Sequence, residues 1–212
     1  MSHFFAAAPL RAVRRRHRLV GIAESLPHAS PPPAPSPLET FARRHALPFT
    51  LLTPRSLAEF LHALRPDLLL IAGCATLLAP EEFSIPPLGT LNLHASLLPR
   101  YRGAQPLFWQ FRALDLDGGV TLHALDARID SGDILGQLPL PITLGESHAS
   151  VLARASLLGA ELIADTLDDI DRRRALRRPQ PAPDGLLLAP IPRAADLPPD
   201  PTWPPPHAWH YL

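Results

Sequence analysis

Asn92 and His94 lie two residues apart at the end of an apolar run, Gly89-Thr-Leu-Asn-Leu-His94, and Asp130 follows a second such run. A strand repeats every two residues, so Asn92 and His94 point the same way from one edge. Pro99 and Gly103 then turn the chain out over that edge. An amide, an imidazole and a carboxylate gathered at strand ends are the parts for moving an acyl group onto a nucleophile. Attack by a neutral amine creates an oxyanion and a positively charged nitrogen. The site must donate hydrogen bonds to the oxygen, take the excess proton and help the leaving nitrogen depart. Asn92 donates through its amide. His94 donates when protonated or relays a proton when neutral. Asp130 holds the imidazole, favours its cation and helps drain the proton.

Each residue alone has a plainer role. An Asn and a His at a strand end satisfy turn backbone, and Asp130-Ser-Gly-Asp133 is a polar turn. His123 reads as a structural residue of its strand, with lining the pocket as the alternative. Cys74, after a buried strand, reads as a small core residue. Phe108 and Trp109 read as the apolar face of a helix, and the runs Arg14 to Arg16 and Arg172 to Arg174 as solvated helix faces.

The elements that must position these groups follow from pattern. The 212 residues suit one domain with a real core and a short extension. With 46% hydrophobic and 19% charged residues, the chain reads as a soluble globular protein. A formal net charge of +0 gives no general attraction to nucleic acid or membrane. All 20 basic residues are Arg, which excludes a lysine Schiff base and a phosphate-loop lysine. The single cysteine excludes a disulfide framework and points to the cytoplasm. No apolar run approaches the ~18 residues of a membrane span.

Proline, with 28 copies, marks the boundaries. One cluster, Pro31 to Pro37, separates two structured segments; the other, Pro179 to Pro206, makes the last stretch an extended tail. Helix-like sequence (Ala6 to Arg16) opens the chain, followed by a strand at Arg18 to Ala23. Capping boxes at Ser36/Glu39 and Ser56/Glu59 open two helices around a strand at Pro48 to Leu52. Asp67 to Gly73 reads as a strand buried on both faces of a parallel sheet. Further strands are expected at Gly89 to His94, Gly119 to Leu125 and Ile134 to Ile142, the last a proline-bearing edge. Helices are expected near Pro80 to Phe83, at Gln105 to Leu114 and at Ser147 to Asp171. Alternation of this kind implies an α/β fold with a largely parallel sheet flanked by helices. A parallel βα unit normally opens with a strand, so the expectation here is either a lost first strand or a start placed too far downstream. A mid-sheet gap would leave unpaired backbone groups, each expensive to bury at roughly 1–3 kcal/mol.

Together, Asn92-x-His94-x-Ser96-Leu-Leu-Pro99-x-Tyr101-Arg102-Gly103 and Asp130-Ser-Gly-Asp133-Ile closely resemble the folate-dependent formyltransferase family. The resemblance runs from about Phe5 to Trp203 and is most specific between Asp67 and Ile142. It implies a Rossmann-like fold, 10-formyltetrahydrofolate as formyl donor and no metal. Asn92, His94 and Asp130 fall on the family's catalytic trio. The folate would lie along Cys74, Ala75, Thr76, Leu77 and Leu78, together with Leu125, Asp126 and Ile129. Ser96, Tyr101, Arg102 and Gly103 would form the substrate-side loop. The implied division is a catalytic domain over 1–178, abbreviated at its start, and a proline-rich linker or tail over 179–212. Partners would be folate and an acceptor amine: a small amine, an amino sugar or an aminoacyl-tRNA. The wording is nearest to methionyl-tRNA formyltransferases, including Pro179-Gln-Pro and Ala189-Pro190 before Trp203. The chain ends about where their further β-barrel domain would begin, and the neutral charge supplies no basic footprint. Glycinamide ribonucleotide formyltransferases fit less well, since their Gly-rich phosphate loop has no counterpart. An amino-sugar nucleotide N-formyltransferase, or a truncated relative that binds folate without catalysis, are the alternatives. For the tail, recognition as a polyproline helix is another.

Overall fold

The computed structural model describes residues 2–25, 34–53, 56–74, 76–181, 189–198 and 202–204. Ala75 and much of both proline clusters lie outside the described residues. In chain order the elements are α1 (Ser2–Arg16), β1 (Ile22–Glu24), α2 (Pro37–Arg44), β2 (Phe49–Leu51), α3 (Ser56–Leu64), β3 (Leu69–Ala72) and α4 (Pro80–Phe83). Then come β4 (Thr90–His94), α5 (Pro106–Arg112), β5 (Asp117–Ala124), β6 (Ile134–Pro141) and α6 (His148–Asp171).

Of the two capping boxes read from the sequence, the one at Ser36 caps its helix, and a cap not read there closes the start of α6. The Ser36 hydroxyl accepts from the Glu39 N–H at 3.0 Å with Pro37 at the first helical position, and the Ser147 hydroxyl caps α6 at Ser150. Ser56 differs: it falls inside α3, and its hydroxyl turns back to Thr53. The first strand is shorter and later than expected. It forms only where β2 offers a partner, from Ile22 opposite Phe49 to Glu24 opposite Leu51.

The strands form two separate sheets. β1 and β2 pair in parallel, and β3-β4-β5-β6 make a four-stranded sheet. β3 and β4 are parallel, whereas β4–β5 and β5–β6 are antiparallel, so the ladder is mixed within a Rossmann-like α/β architecture. β6 lies at an edge, where Pro139 and Pro141 are tolerated. Among the described residues no strand joins β1 to β3, and every residue of β3 stays only partly buried. The buried central strand expected at Asp67 to Gly73 thus has an open side.

Period-two alternation in β4 sorts its side chains. Leu91 and Leu93 are buried in the main core with Leu122, Val151 and Ile163. Asn92 and His94 take the opposite face. Gly159 lets α6 approach β4: a Cβ there would sit 2.4 Å from a Leu93 methyl. The segment after α6 returns to the body. Ile134 bridges to Arg178, Trp109 Nε1 donates to the Pro190 carbonyl at 2.8 Å, and the Arg112 guanidinium lies 5.8 Å over the Trp203 ring. Trp203 is buried within the core.

Because Trp203 fills core volume from a segment of little regular structure, Trp203→Ala should destabilise by about 3 kcal/mol. The thermal midpoint should fall by roughly 6–12 °C. A calorimetric scan showing no shift would mean that the tail is not anchored through this ring.

Candidate active site

The register of the sheet assembles the polar cluster. Asn92 stands opposite His123, and His94 opposite Thr121, so all four share one face. A register shift between Leu122 and His123 against β6 marks a bulge beside the His123 position. Asp130 comes over this face on the β5–β6 loop, with φ of 48°. An aspartate tolerates that left-handed backbone better than most residues, at a cost of roughly 1–2 kcal/mol.

The Asp130 carboxylate is the centre. Oδ2 accepts from the Gly103 N–H at 2.8 Å and lies 3.6 Å from His94 Nδ1. Oδ1 accepts from Asn92 Nδ2 at 3.3 Å and lies 3.5 Å from His123 Nε2. Burial pushes this carboxyl up, but the Gly103 N–H and the His123 and His94 rings in their protonated form favour the anion more, bringing it from 3.8 down to about 2. His94 moves down from its ordinary value, chiefly because burial disfavours the imidazolium, despite Asp130 nearby. His94 Nε2 is 2.8 Å from the Tyr101 carbonyl, which can only accept, so that nitrogen carries the hydrogen. In the neutral ring Nδ1 is then a bare lone pair facing Asp130. His123 Nδ1 faces the Ala124 carbonyl at 2.9 Å, leaving Nε2 to accept from Asn92 Nδ2 at 3.2 Å. Asn92 thus spends both amide hydrogens inside the cluster.

The remaining residues singled out by sequence are distributed as follows. Gly103 touches Asp130 directly; its φ is 123°, and a Cβ there would meet the Ala189 carbonyl oxygen at 2.5 Å. Ser96 is buried and donates to the Arg100 carbonyl, closing the turn from inside. Tyr101 is buried too, its hydroxyl on Asp115 at 2.7 Å, beside the Arg100–Asp115 ion pair. Arg102 forks onto Gln180 Oε1 at 2.6 and 3.2 Å. Cys74 and Leu78 border a cavity of about 750 Å³ between β1 and β3. That cavity is distinct from the Asp130 cluster. Thr76 and Leu77 are exposed, as is Ile129 on the loop that carries Asp130. Leu125 donates its N–H to the Thr90 carbonyl, and Asp126 accepts from the Ser131 hydroxyl at 2.7 Å. Leu77 and Ile129 are large hydrophobic side chains left exposed on these loops. Among the described residues no group of three or more His, Cys, Asp or Glu is arranged to hold a metal ion.

Two members of the cluster escape the sequence reading. His123 is no mere strand residue: it touches both Asn92 and Asp130. The signal was its strand alternation, which a single sequence cannot turn into register. Gln180, in the proline-rich segment, donates from Nε2 to the carbonyls of Asp130 and Gly132 at 2.9 and 2.8 Å while accepting from Arg102.

An α/β sheet carrying this amide–imidazole–carboxylate cluster defines an acyl-transfer type of site. The sequence pattern of the formyl transferase family matches residues 31–167, more than half of the chain, and the chain belongs to that family. It is 38% identical over 157 residues to a methionyl-tRNA formyltransferase from Pelobacter propionicus, covering 72% of this chain and 48% of that one. The chain therefore spans about half the length of the curated relatives it matches. Among solved structures, a 4-N formyltransferase from Francisella tularensis superposes with a TM-score of 0.71 at 19% identity, covering 97% of this chain and 81% of that one. A glycinamide ribonucleotide transformylase from Symbiobacterium toebii gives 0.70 at 22% identity, covering 84% and 89%. These two likenesses speak for the fold alone.

The Asp130 carboxyl fixes one acid limb of stability. Its folded value lies below the ordinary 3.8, so the unfolded chain binds the proton more tightly. The resulting stability, roughly 2 kcal/mol, is present above about pH 4 and lost as pH falls towards 2. Denaturant titrations at about pH 5 and pH 2 should show this loss in the parent chain and its disappearance in Asp130→Asn. Equal losses in both would remove Asp130 as the cause.

Proposed function

We propose that this chain transfers a formyl group from 10-formyltetrahydrofolate to a primary amine, with the amine of an aminoacyl-tRNA as acceptor. Asn92, His94 and Asp130 are the groups that act on the reacting atoms. The observation that carries this reading is the pair His94 Nδ1 and Asp130 Oδ2, 3.6 Å apart. With His94 neutral, that gap lacks one hydrogen and is a receptor for one proton. An amine attacking a formyl carbon must shed one proton for each transfer, and this pair takes it. Proton uptake by His94 and Asp130 relaxes the pull on the Asn92 amide, freeing an N–H to donate to the developing oxyanion. His94, once charged, returns the proton to the departing nitrogen. The donor is bound as a substrate against the loops carrying Cys74 to Leu78 and Leu125 to Ile129, with the turn at Ser96 to Gly103 on the acceptor side. No metal is required by this sequence of steps.

The 38% identity to a methionyl-tRNA formyltransferase supports the acceptor class. The formal net charge of +0 favours a second reading, an amino-sugar nucleotide, which needs no long basic surface. We assign 1–178 to the catalytic body and 179–212 to a linker whose residues Gln180, Pro190 and Trp203 contact that body. The absence of disulfide chemistry suits the cytoplasm.

Incubation with 10-formyltetrahydrofolate and a panel of amines, charged initiator tRNA and amino-sugar nucleotides among them, tests the assignment by release of tetrahydrofolate. Release with no member of the panel would sink it. Asp130→Asn and His94→Ala should each lower turnover on the order of 10²–10³-fold with folate affinity nearly unchanged. Near-parental rates in either would reject the proton-receptor role. Gln180→Ala loosens the loop under Asp130 and should lower kcat by about 10²-fold while leaving KM for the folate alone. Gln180→Glu should not rescue it, because a carboxylate cannot donate to the Asp130 and Gly132 carbonyls. An effect on KM alone would place Gln180 outside the catalytic geometry.

A further inference from the structure

Two acceptors compete for the single hydrogen of the neutral His94 ring. The Tyr101 carbonyl stands 2.8 Å from Nε2, well within hydrogen-bonding range, whereas Asp130 Oδ2 stands 3.6 Å from Nδ1, beyond it. The carbonyl wins, and the bare lone pair at Nδ1 is the result. The margin is one of distance. Moving the carbonyl away by roughly 1 Å would leave the carboxylate as the better acceptor, and the hydrogen would pass to Nδ1. The lone pair that faces Asp130 would then be gone.

That carbonyl belongs to a residue held against its own backbone preference. Tyr101 has a φ of 56°, a left-handed conformation that costs a bulky residue roughly 1–2 kcal/mol. It persists only where contacts over-determine it. One restraint is the buried Ser96 hydroxyl, which donates to the Arg100 carbonyl at 2.7 Å. The other comes from Asp115, in the connection between α5 and β5. Its Oδ2 accepts from the Tyr101 hydroxyl at 2.7 Å and pairs with the Arg100 guanidinium, which lies 5.6 Å from the centre of the Tyr101 ring. Asp115 is itself fixed: Oδ1 accepts from the Asp117 N–H at 3.2 Å, and its own N–H donates to the carbonyl of buried Gln110 at 2.9 Å. Side chain and carbonyl leave the same strained residue, so a carboxylate that fixes the one restrains the other. We propose that Asp115 is a positioning residue: through the Tyr101 hydroxyl it holds the Tyr101 carbonyl on His94 Nε2, and so keeps Nδ1 bare for the proton of the attacking amine. Only the last step, acceptance of that proton, rests on the formyl-transfer reading. The tautomer of His94 is set with no substrate bound.

The test reads the ring-nitrogen resonances of His94 near neutral pH in the full chain carrying isotope-labelled histidine, beside kcat and KM for the folate. Tyr101→Phe deletes one hydroxyl and keeps the ring. Asp115→Ala deletes the acceptor, whereas Asp115→Asn keeps a carbonyl oxygen for the hydroxyl to meet. The parent should show hydrogen on Nε2. Tyr101→Phe and Asp115→Ala should move the signals towards the Nδ1–H form and lower kcat by about 10–10²-fold, with KM for the folate unchanged. Asp115→Asn should keep the parental signals and most of kcat. Parental ring signals in either Tyr101→Phe or Asp115→Ala would overturn the proposal even if the thermal midpoint falls, because a merely structural anchor moves the midpoint alone. A change in Asp115→Asn as large as in Asp115→Ala would overturn the route through the hydroxyl. If the parent releases tetrahydrofolate with no amine, the formyl-transfer reading fails, and the ring signals alone then decide the role of Asp115.

Discussion

A carboxylate largely withdrawn from water stays ionised only when fixed donors replace the water it has lost, and the polar face of this protein is organised around that requirement at Asp130. The Gly103 N–H and the Asn92 amide supply donors, and two imidazoles stand within 3.6 Å. These partners come from the turn after β4, from β4 itself and from β5. Apart from His123, seven residues away, they lie 27 or more positions from Asp130 in sequence, so the sheet register must be right before the anion can be tolerated. The backbone at Asp130 and Tyr101 lies in the left-handed region, and Gly103 has a positive φ too. Strain of this kind persists only where the surroundings over-determine it. Here the determinants are the Gln180 amide on the Asp130 loop and Ala189 against the Gly103 turn.

Hydrogen accounting within the cluster has consequences for its chemistry. The Tyr101 and Ala124 carbonyls each fix one ring nitrogen as a donor, and thereby fix the opposite nitrogen of each neutral ring as an acceptor. The Asn92 amide satisfies His123 and Asp130. His94 receives no such donor on Nδ1. The cluster is one hydrogen short of full pairing, and the deficit lies at the one contact where an imidazole and a carboxylate oxygen meet without an intervening amide. Burial disfavours the charged ring, so the vacancy persists near neutrality without a full ion pair.

Much of this was legible in the chain. Period two in Thr90 to His94 separates Leu91 and Leu93 from Asn92 and His94, and the structure keeps that separation. Ser36 announced its helix by local hydrogen bonding, which needs no tertiary information. What stayed hidden depends on pairing between distant segments. His123 acquires its role because β5 sets it opposite Asn92. Gln180 and Trp203 sit in proline-rich sequence that looks like an extended tail, and only the fold shows one reaching the Asp130 loop and the other the core. The half-open β3 is the converse case. Its apolar run reads as a central strand, but burial is a property of neighbours, and on one side the neighbour is a cavity.

The strap that follows α6 ties the Asp130 loop, the 101–105 turn and α5 together. At its start, Gln180 holds both the Asp130 loop and Arg102; further on, Ala189 pairs with Arg102 and Gln105. Pro190 then meets Trp109, and Asp196 and Pro198 accept from Arg112 on α5. The described residues of the strap thus border the 101–105 turn along one side. Because Arg102 is clamped to Gln180 and Gly103 lies against Ala189, the backbone of that turn is set by residues more than 75 positions further along the chain, and the Gly103 N–H that Asp130 accepts is placed by the same contacts.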